Sequence, residues 1–318
     1  MQSYLDFEKP VAELEGKIQE LKTIGSNDEA VSIDEEVSHL QKKADEALVD
    51  IYKKLTPMQK VLVARHPQRP HFKDYIAQLI EDFVPLAGDR QFGEDAAIIA
   101  GFGRFNGQAV AVIGQEKGDS TKSRLKHNFG MARPEGYRKA VRIMDLADRF
   151  DIPVIYLVDT SGAYPGVGAE ERGQAEAIAR STEKCLDLGV PNLAIIIGEG
   201  GSGGAIAIAS SNRVLMLEHA IYSVISPEAG ASILFRDAAR AKDMAVAQKI
   251  TATDILDLGV IDGIIGEPMG GAHRNVSEAI ANVGKEISKF LSDYKDKSRD
   301  EILSEREEKF LTMGDSLL

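Results

Sequence analysis

The sequence predicts an α/β fold in which pairs of short strands are followed by helices, set behind an N-terminal hairpin of helices. Three observations lead there. Apolar residues repeat at helical spacing through the N-terminal stretch, up to Ile51. From about Asp95 the pattern changes to apolar runs of strand length, several of them in pairs. Two glycine-rich stretches, 159–168 and 198–205, each follow a buried strand candidate, the place where open α/β structures present ligands. Strand pairs separated by helices depart from strict βαβ alternation and suggest a spiral of ββα units. The chain divides accordingly into a helical region, 1–94, of hairpin and linker helices, and an α/β domain, 95–318, that closes with C-terminal helices.

In the first region, Val11, Leu14, Ile18 and Leu21 form one apolar stripe, and Ile33, Val37, Leu40, Ala44, Leu48 and Ile51 form another. Ser32 with Glu35 is a capping-box signature, and the segment from Gly25 through Ser26, Asn27 and Asp28 supplies the turn. Such a narrow-striped hairpin reads as an interaction element. Thr56, Pro57 and Gln59 open a further helix. The run Arg65-His66-Pro67-Gln68-Arg69-Pro70-His71 breaks the pattern and is expected as a surface loop, with a short helix over 74–83 after it.

The α/β part begins with strands 96–105 and 108–115, joined by Asn106-Gly107, a strong two-residue hairpin signal. Pro134 opens a helix that runs to about Phe150. A buried strand at 153–158 leads into the first glycine loop, and a helix covers 170–188. The run Leu193-Ala194-Ile195-Ile196-Ile197 is a second buried strand; the second glycine loop is its turn, and a tightly packed helix follows. Strands at 213–217 and 221–225, a helix from Ser226-Pro227, helical segments at 237–248 and 252–257, and a last strand at 260–265 complete the domain. From Asn275 the chain reads as amphipathic helix with a charged, frayed tail.

Composition sets outer limits on function. With 318 residues, 43% hydrophobic and 28% charged, the chain has the make-up of a soluble globular protein. It carries no apolar run of membrane-spanning length and no signal-peptide pattern at Met1, so a cytoplasmic location is expected. The single cysteine, Cys185, excludes an internal disulfide and a cysteine-built metal site, and is expected as a small core residue. A formal net charge of −12 argues against nucleic-acid or membrane binding. The charge is uneven: Lys117, Lys122, Arg124, Lys126, Arg133, Arg138, Lys139 and Arg142 face only Asp119 and Glu135 within 117–142. That segment is either a solvated face or a site for a phosphorylated ligand or acidic partner.

Residues 198–205 allow three kinds of chemistry. Five glycines in seven positions bare main-chain N–H groups at a helix N-terminus, where the dipole favours negative charge. Gly198, Gly200 and Gly203 fit a dinucleotide fingerprint, with Glu218 as the ribose acid, although at least three strands precede this turn. Gly200, Ser202 and Gly204 fit a nucleophile elbow, as in a serine hydrolase or peptidase, with only His219 and His273 downstream as bases. Ser202 reads more simply as a helix N-cap. In the third possibility both glycine loops act together, Gly162-Ala163 and Gly203-Gly204 donating to a carbonyl oxygen that gains charge during reaction.

At this point the residues resemble a known family. The run Asn128-Phe129-Gly130-Met131-Ala132-Arg133-Pro134-Glu135-Gly136-Tyr137-Arg138-Lys139-Ala140 is similar to that of the carboxyltransferase alpha subunits of bacterial acetyl-CoA carboxylases. So are Asp159-Thr160-Ser161-Gly162-Ala163-Tyr164-Pro165-Gly166, Gly168-Ala169-Glu170-Glu171-Arg172-Gly173-Gln174, the stretch 198–205 and Leu258-Gly259-Val260-Ile261-Asp262. The similarity covers essentially the whole chain. Ser161 departs from the pattern, where proline is expected; no N–H donor is lost by it.

The resemblance implies a crotonase-type (Clp/crotonase) superhelix of ββα units with an N-terminal helical hairpin extension, 95–318 being the carboxyltransferase domain. It implies transfer of a carboxyl group from carboxybiotin, on the biotin carboxyl carrier protein, to acetyl-CoA, forming malonyl-CoA in the first committed step of fatty acid biosynthesis. It also implies an α2β2 heterotetramer with a beta subunit that carries a four-cysteine zinc finger, served by biotin carboxylase; no metal is expected in this chain. In such chemistry the biotin ureido group itself takes the acetyl proton, so the protein supplies oxyanion donors, orientation and exclusion of water. By resemblance, Gly203 and Gly204 donate to the ureido oxygen, and Gly162 and Ala163 shape the adjoining wall. Tyr164, Gly166, Gly200, Gly201 and Ser202 line the cofactor, with Glu199 as a hydrogen-bond orienter. Lys117, Lys126 and Arg133, from the basic segment, meet the coenzyme A phosphates or the beta subunit.

Overall fold

The computed structural model describes residues 3–25 and 34–314. Helices α1 (Lys9–Gly25) and α2 (Asp34–Tyr52) pack with the start of one against the end of the other, Val11 meeting Leu48, Tyr52 and Val63 in a small satellite core. They therefore run antiparallel, as the stripes require. The expected turn residues Ser26, Asn27 and Asp28 and the capping Ser32 lie outside the described residues. Helix α3 (Pro57–Ala64) has the full capping box: Thr56 accepts from the Gln59 N–H, and the Gln59 side chain takes the Thr56 N–H.

The 65–71 segment is not a surface loop. His66, Arg69 and His71 are buried, because each meets a distant part of the chain: His66 stacks on His273, Arg69 bonds the Ile197 carbonyl and His71 lies against Asp159. Helix α4 (Phe72–Leu79) then stops four residues before the expected boundary, and β1 (Glu81–Pro85) joins the sheet as an edge strand. A register shift between Glu81 and Val84, with Asp82 at φ 51°, interrupts the strand and hides its pattern from the sequence.

Strands β2 (Ile98–Phe105) and β3 (Gln108–Gln115) form the expected antiparallel hairpin. Asn106 (φ 48°) and Gly107 (φ 80°) both adopt the left-handed backbone that a type I′ turn requires. Helices α5 (Thr121–Lys126) and α6 (Pro134–Arg149) lead to β4 (Val154–Thr160), which pairs parallel with β3. The helix expected over 170–188 is two pieces, α7 (Val167–Glu170) and α8 (Gln174–Asp187), separated at Gly173, whose φ of 81° breaks the helix.

Strand β5 (Asn192–Gly201) is the axis of the sheet. Every residue of β4 and β5 is buried, as the nearly continuous apolar runs predicted for parallel strands covered on both faces. After helix α9 (Ser202–Ala209), β6 (Arg213–Leu217) pairs with the first half of β5 and β7 (Ile221–Ser223) with its last three residues. Helices α10 (Pro227–Leu234), α11 (Ala241–Ala247) and α12 (Ala252–Asp257) precede β8 (Gly263–Ile265), giving the order β1-β2-β3-β4-β5-β6-β8 with β7 beside the end of β5.

The chain ends in α13 (Val276–Asp293) and α14 (Arg299–Thr312). The last helix is anchored rather than frayed. Fully buried Arg306 donates to the Leu186, Leu188 and Val190 carbonyls and to the side-chain oxygens of Asn192 and Asn212, at 2.5–3.1 Å. Cys185 sits in the core beside Tyr156 and Met144, where burial pushes its thiol up to about 12. No helix among the described residues is long and apolar enough to cross a membrane.

Candidate functional site

Parallel pairing of β4 with β5 delivers both glycine loops to the same end of the sheet, at the carboxyl ends of the strands. Val158 lies opposite Ile196 but Thr160 lies opposite Gly200, so β5 holds two extra residues at this point. The bulge takes the Ile197 carbonyl out of the ladder, and Arg69 Nε donates to it at 2.7 Å. Arg69 is in turn fixed by a bidentate pair with Glu267 at 2.9 and 2.6 Å, both side chains buried. The bulge also aims the Glu199 N–H at Asp159 Oδ1, 2.9 Å away, and a Cβ on Gly198 would overlap that carboxylate.

The second glycine loop is not a turn in its first half. Pairing with β7 keeps the chain extended through Gly201, and the direction changes only at Ser202, whose φ is 48°. Gly200 and Gly201 serve close packing: a Cβ on Gly200 would meet Tyr222 Cδ2 at 2.8 Å, and one on Gly201 would overlap the Ser161 carbonyl. Ser202 is not the N-cap. Gly201 holds that position, and no side-chain cap bond forms. The amides of Ser202, Gly203 and Gly204 thus open α9 without preceding helical turns to pair with.

The two loops touch at Gly204. A Cβ there would lie 2.7 Å from the Gly162 carbonyl carbon and 2.9 Å from the Ala163 nitrogen. Gln115, the last residue of β3, links both sides, donating to the Gly204 carbonyl at 3.0 Å and accepting the Asp159 N–H at 3.1 Å. The Gly162 N–H is engaged by Thr160 Oγ1 at 3.1 Å, whereas the Ala163 N–H has no partner among the described residues. Within that expected donor pair, Ala163 is the free one. Tyr164 lies next to them with the Arg133 guanidinium 4.3 Å from its ring centre, and only glycine at 166 leaves room for the ring.

Beneath the loops lies a chain of charges, buried at Asp159 and Glu199 and half-buried at Lys117, Arg65 and Glu228. Lys117 Nζ is 2.8 Å from Asp159 Oδ1 and 2.7 Å from Glu199 Oε1. Arg65 joins Glu199 to Glu228, at 2.7 Å each, and His71 Nδ1 is 3.4 Å from Asp159 Oδ2. Burial alone would raise both carboxyls, but the Lys117 ammonium and His71 hold Asp159 well below the usual carboxylate range, and Lys117 and Arg65 lower Glu199. The same two carboxylates keep Lys117 above the ordinary lysine value. Arg65, His71, Lys117, Arg124, Phe129 and Glu199 help to line a cavity of about 350 Å³ over this network.

Glu199 is therefore an ion-paired interior carboxylate, and Lys117 is not a surface cation free for phosphates. The rest of the basic segment is largely consumed too. Arg138 pairs with Asp89 and Glu135, Lys139 with Glu94, and Arg142 donates to the carbonyls of Leu86, Ala87 and Gly88. Lys126 stays exposed on α5. Sequence reasoning missed Arg65, Arg69, His71 and Gln115. The one signal was two arginines and two histidines crowded into 65–71.

The single-loop alternatives lose their partners. His219 packs edge-on against Tyr52 at 5.4 Å and His273 stacks on His66 at 3.7 Å, so the histidines downstream of Ser202 are spent on packing. Glu218 accepts the Glu267 N–H at 3.2 Å, and β5 is an interior strand with four strands before it in the chain, not the first strand of a dinucleotide domain.

Residues 4–314 match the model of the family described as acetyl co-enzyme A carboxylase carboxyltransferase-like. The chain is 65% identical, over 99% of both chains, to the acetyl-coenzyme A carboxylase carboxyl transferase subunit alpha of Methylobacterium nodulans. It is 64% identical to the subunit of the same name from Nitrobacter winogradskyi, over 100% of this chain and 98% of that one. Among solved structures, transcarboxylase 12S with methylmalonyl-coenzyme A bound superposes with a TM-score of 0.59 at 22% identity, over 72% of this chain and 42% of that one, a likeness of fold. The α/β architecture with its mixed sheet is thus that of crotonase-like carboxyltransferase domains, and the chain belongs to the acetyl-coenzyme A carboxylase carboxyltransferase family, among its alpha subunits.

Proposed function

We propose that this chain forms half of an active site, completed by a beta subunit in an α2β2 assembly, that transfers a carboxyl group from carboxybiotin on its carrier protein to acetyl-CoA. The product is malonyl-CoA, and biotin carboxylase recharges the carrier. The observation that carries this reading is the contact of Gly204 with Gly162 and Ala163. Two strand-end loops bring uncharged main-chain donors to one place, while the ionisable groups beneath are paired with one another. A ureido oxygen, neutral at rest and negative only during reaction, suits such donors.

Carboxybiotin, when bound, supplies the activated carboxyl group and then a ureido group basic enough to accept the acetyl proton. The chain's own residues do the rest. The N–H groups of Gly203 and Gly204, in the first turn of α9, stabilise charge on the ureido oxygen, aided by the helix dipole. Ala163 offers a further free N–H in the adjoining wall, and Gly162, whose own amide is occupied, lets the chain turn there. The Tyr164 ring, braced by Arg133 and admitted by Gly166, packs against biotin. Gly200, Gly201 and Ser202 set the angle at which α9 leaves the strand. Glu199 and Lys117 orient from below, leaving Lys126 to meet the coenzyme A phosphates or the beta subunit. Loss of one oxyanion donor raises a barrier by about 3 kcal/mol.

The test is reconstitution. The purified chain alone is inactive, and malonyl-CoA appears only when the beta subunit and carboxybiotin are added. Absence of product from the complete mixture overturns the reading. Stoichiometric labelling of Ser202 by a fluorophosphonate would replace it with hydrolase chemistry.

A further inference from the structure

We propose that Lys117 is a positioning residue for carboxyl transfer: from beyond the end of β3, its ammonium ties together the ends of β4 and β5, which carry the two donor loops. The inference deepens the function proposed above and rests on it. Lys117 follows the end of β3, Asp159 lies near the end of β4, and Glu199 near the end of β5. With Nζ–O distances of 2.8 and 2.7 Å, and with Asp159 Oδ1 also accepting the Glu199 N–H at 2.9 Å, one cation closes a ring across the bulged part of the sheet. β4 ends one residue beyond Asp159 and β5 two residues beyond Glu199, and the expected donors follow directly. Gln115 makes the parallel neutral tie, from Asp159 N–H to the Gly204 carbonyl.

Charged and titratable groups surround this ring: Arg65 at the end of α3, Arg69 and His71 before α4, Tyr75 on α4, Arg124 on α5 and Glu228 on α10, the last through Arg65. Among the described residues, Lys117 is the cation shared by Asp159 and Glu199. Without it the carboxylates face each other. They repel when both are ionised and share a proton when one is not. The loops above should then lie in register only at the more acid end of the pH range.

The experiment uses the full chain assembled with its beta subunit, and compares wild type, Lys117→Met and Lys117→Met/Glu199→Gln. Carboxyl transfer by wild type comes first, since its absence would sink the proposed function rather than this inference. Lys117→Met is expected to lower kcat by about tenfold or more with little change in KM, a split that reports lost alignment. Its activity should fall as pH rises through the shared titration of the two carboxyls, a limb that wild type lacks. The double variant keeps the net charge of wild type, with Arg65 still paired to Glu228 and Asp159 left beside His71; it should melt above Lys117→Met, lack that limb and remain about tenfold slow. Hydrogen exchange in 159–168 and 198–209 should quicken in it while α13 keeps its protection. Should Lys117→Met not fold, the double variant decides. A kcat within about twofold of wild type in either variant, a loss confined to KM, or unchanged exchange in both loops overturns the proposal.

Discussion

Replacing Gly204 by alanine probes the meeting of the two loops with one added methyl group. The new Cβ would lie 2.7 Å from the Gly162 carbonyl carbon, 2.9 Å from the Ala163 nitrogen and 3.0 Å from the Gly162 oxygen, where ordinary contact starts at 3.4 Å. All three atoms are main chain, so no side chain can swing aside. Relief requires the loops to part by roughly 0.5–1 Å, and overpacking of this kind costs about 1–3 kcal/mol of stability. A displacement of about 1 Å at a donor costs about 100-fold in rate. Gly203→Ala is the control: its Cβ would first meet Ile178 Cγ2 at 3.4 Å, on the side away from the loop contact, and the N–H is kept. It should leave stability unchanged or raise it by about 0.4–1 kcal/mol. The assay is kcat of the reconstituted enzyme beside thermal melting of each variant. A Gly204→Ala enzyme within about threefold of wild type, or a folded Gly203→Ala enzyme equally impaired, would refute the reasoning.

Arg69→Met strands the Glu267 carboxylate and the Ile197 carbonyl in the interior, and should cost about 3–5 kcal/mol in urea unfolding; a loss below about 1 kcal/mol would mean the bulge does not depend on it. Arg306→Met leaves the Leu186, Leu188 and Val190 carbonyls without their donor and should expose α14 to limited proteolysis before the rest of the chain is cut. Burial, then the neighbouring His66, push His273 down to about 3, while in the unfolded chain it protonates near its ordinary 6.5. Its contribution is therefore whole above pH 6.5 and is lost as pH falls toward 3, at about 1.4 kcal/mol per pH unit; urea midpoints that stay flat from pH 7 to 5 would contradict this. Glu267 is depressed to about 2, burial being outweighed by Arg69, so its contribution persists to lower pH and disappears as pH falls through about 2.

Local rules made much of the fold legible. Asn106-Gly107 can turn a hairpin because both residues tolerate left-handed backbone, and β4 and β5 read as buried because parallel strands are covered on both faces. What escaped depends on partners far along the chain. The 65–71 segment looks like a polar loop until Arg65 meets Glu199, 134 residues away, and Arg69 meets Glu267, 198 residues away. Glycines at 200 and 201 signal a turn locally, yet β7 pairs with them and keeps them extended. The basic segment seemed a binding surface because its counter-ions, Asp89, Glu94, Asp159 and Glu199, lie outside it. Spacing alone finds the glycines of the site; it cannot find the ion pairs that hold them.

Those ion pairs bear on why a site rich in charge would, in the function proposed, turn uncharged donors toward its ligand. A free ammonium beside a bound anion stabilises ground state and transition state alike, and such uniform binding does not raise kcat. Main-chain N–H groups interact modestly with a neutral carbonyl and more strongly once charge has developed, provided they are already fixed in place. In this chain Lys117 and Arg65 are matched by Asp159, Glu199 and Glu228, so their charge is spent inside the protein. Their linkage joins β3, α3 and α10 to the roots of both loops, and Gln115 extends it to the Gly204 carbonyl. Desolvating these groups works against stability, and their mutual bonds offset that cost. What the fold gains is a pair of donor loops that need not reorganise when charge appears, which is the property the proposed reaction requires of this half of the enzyme.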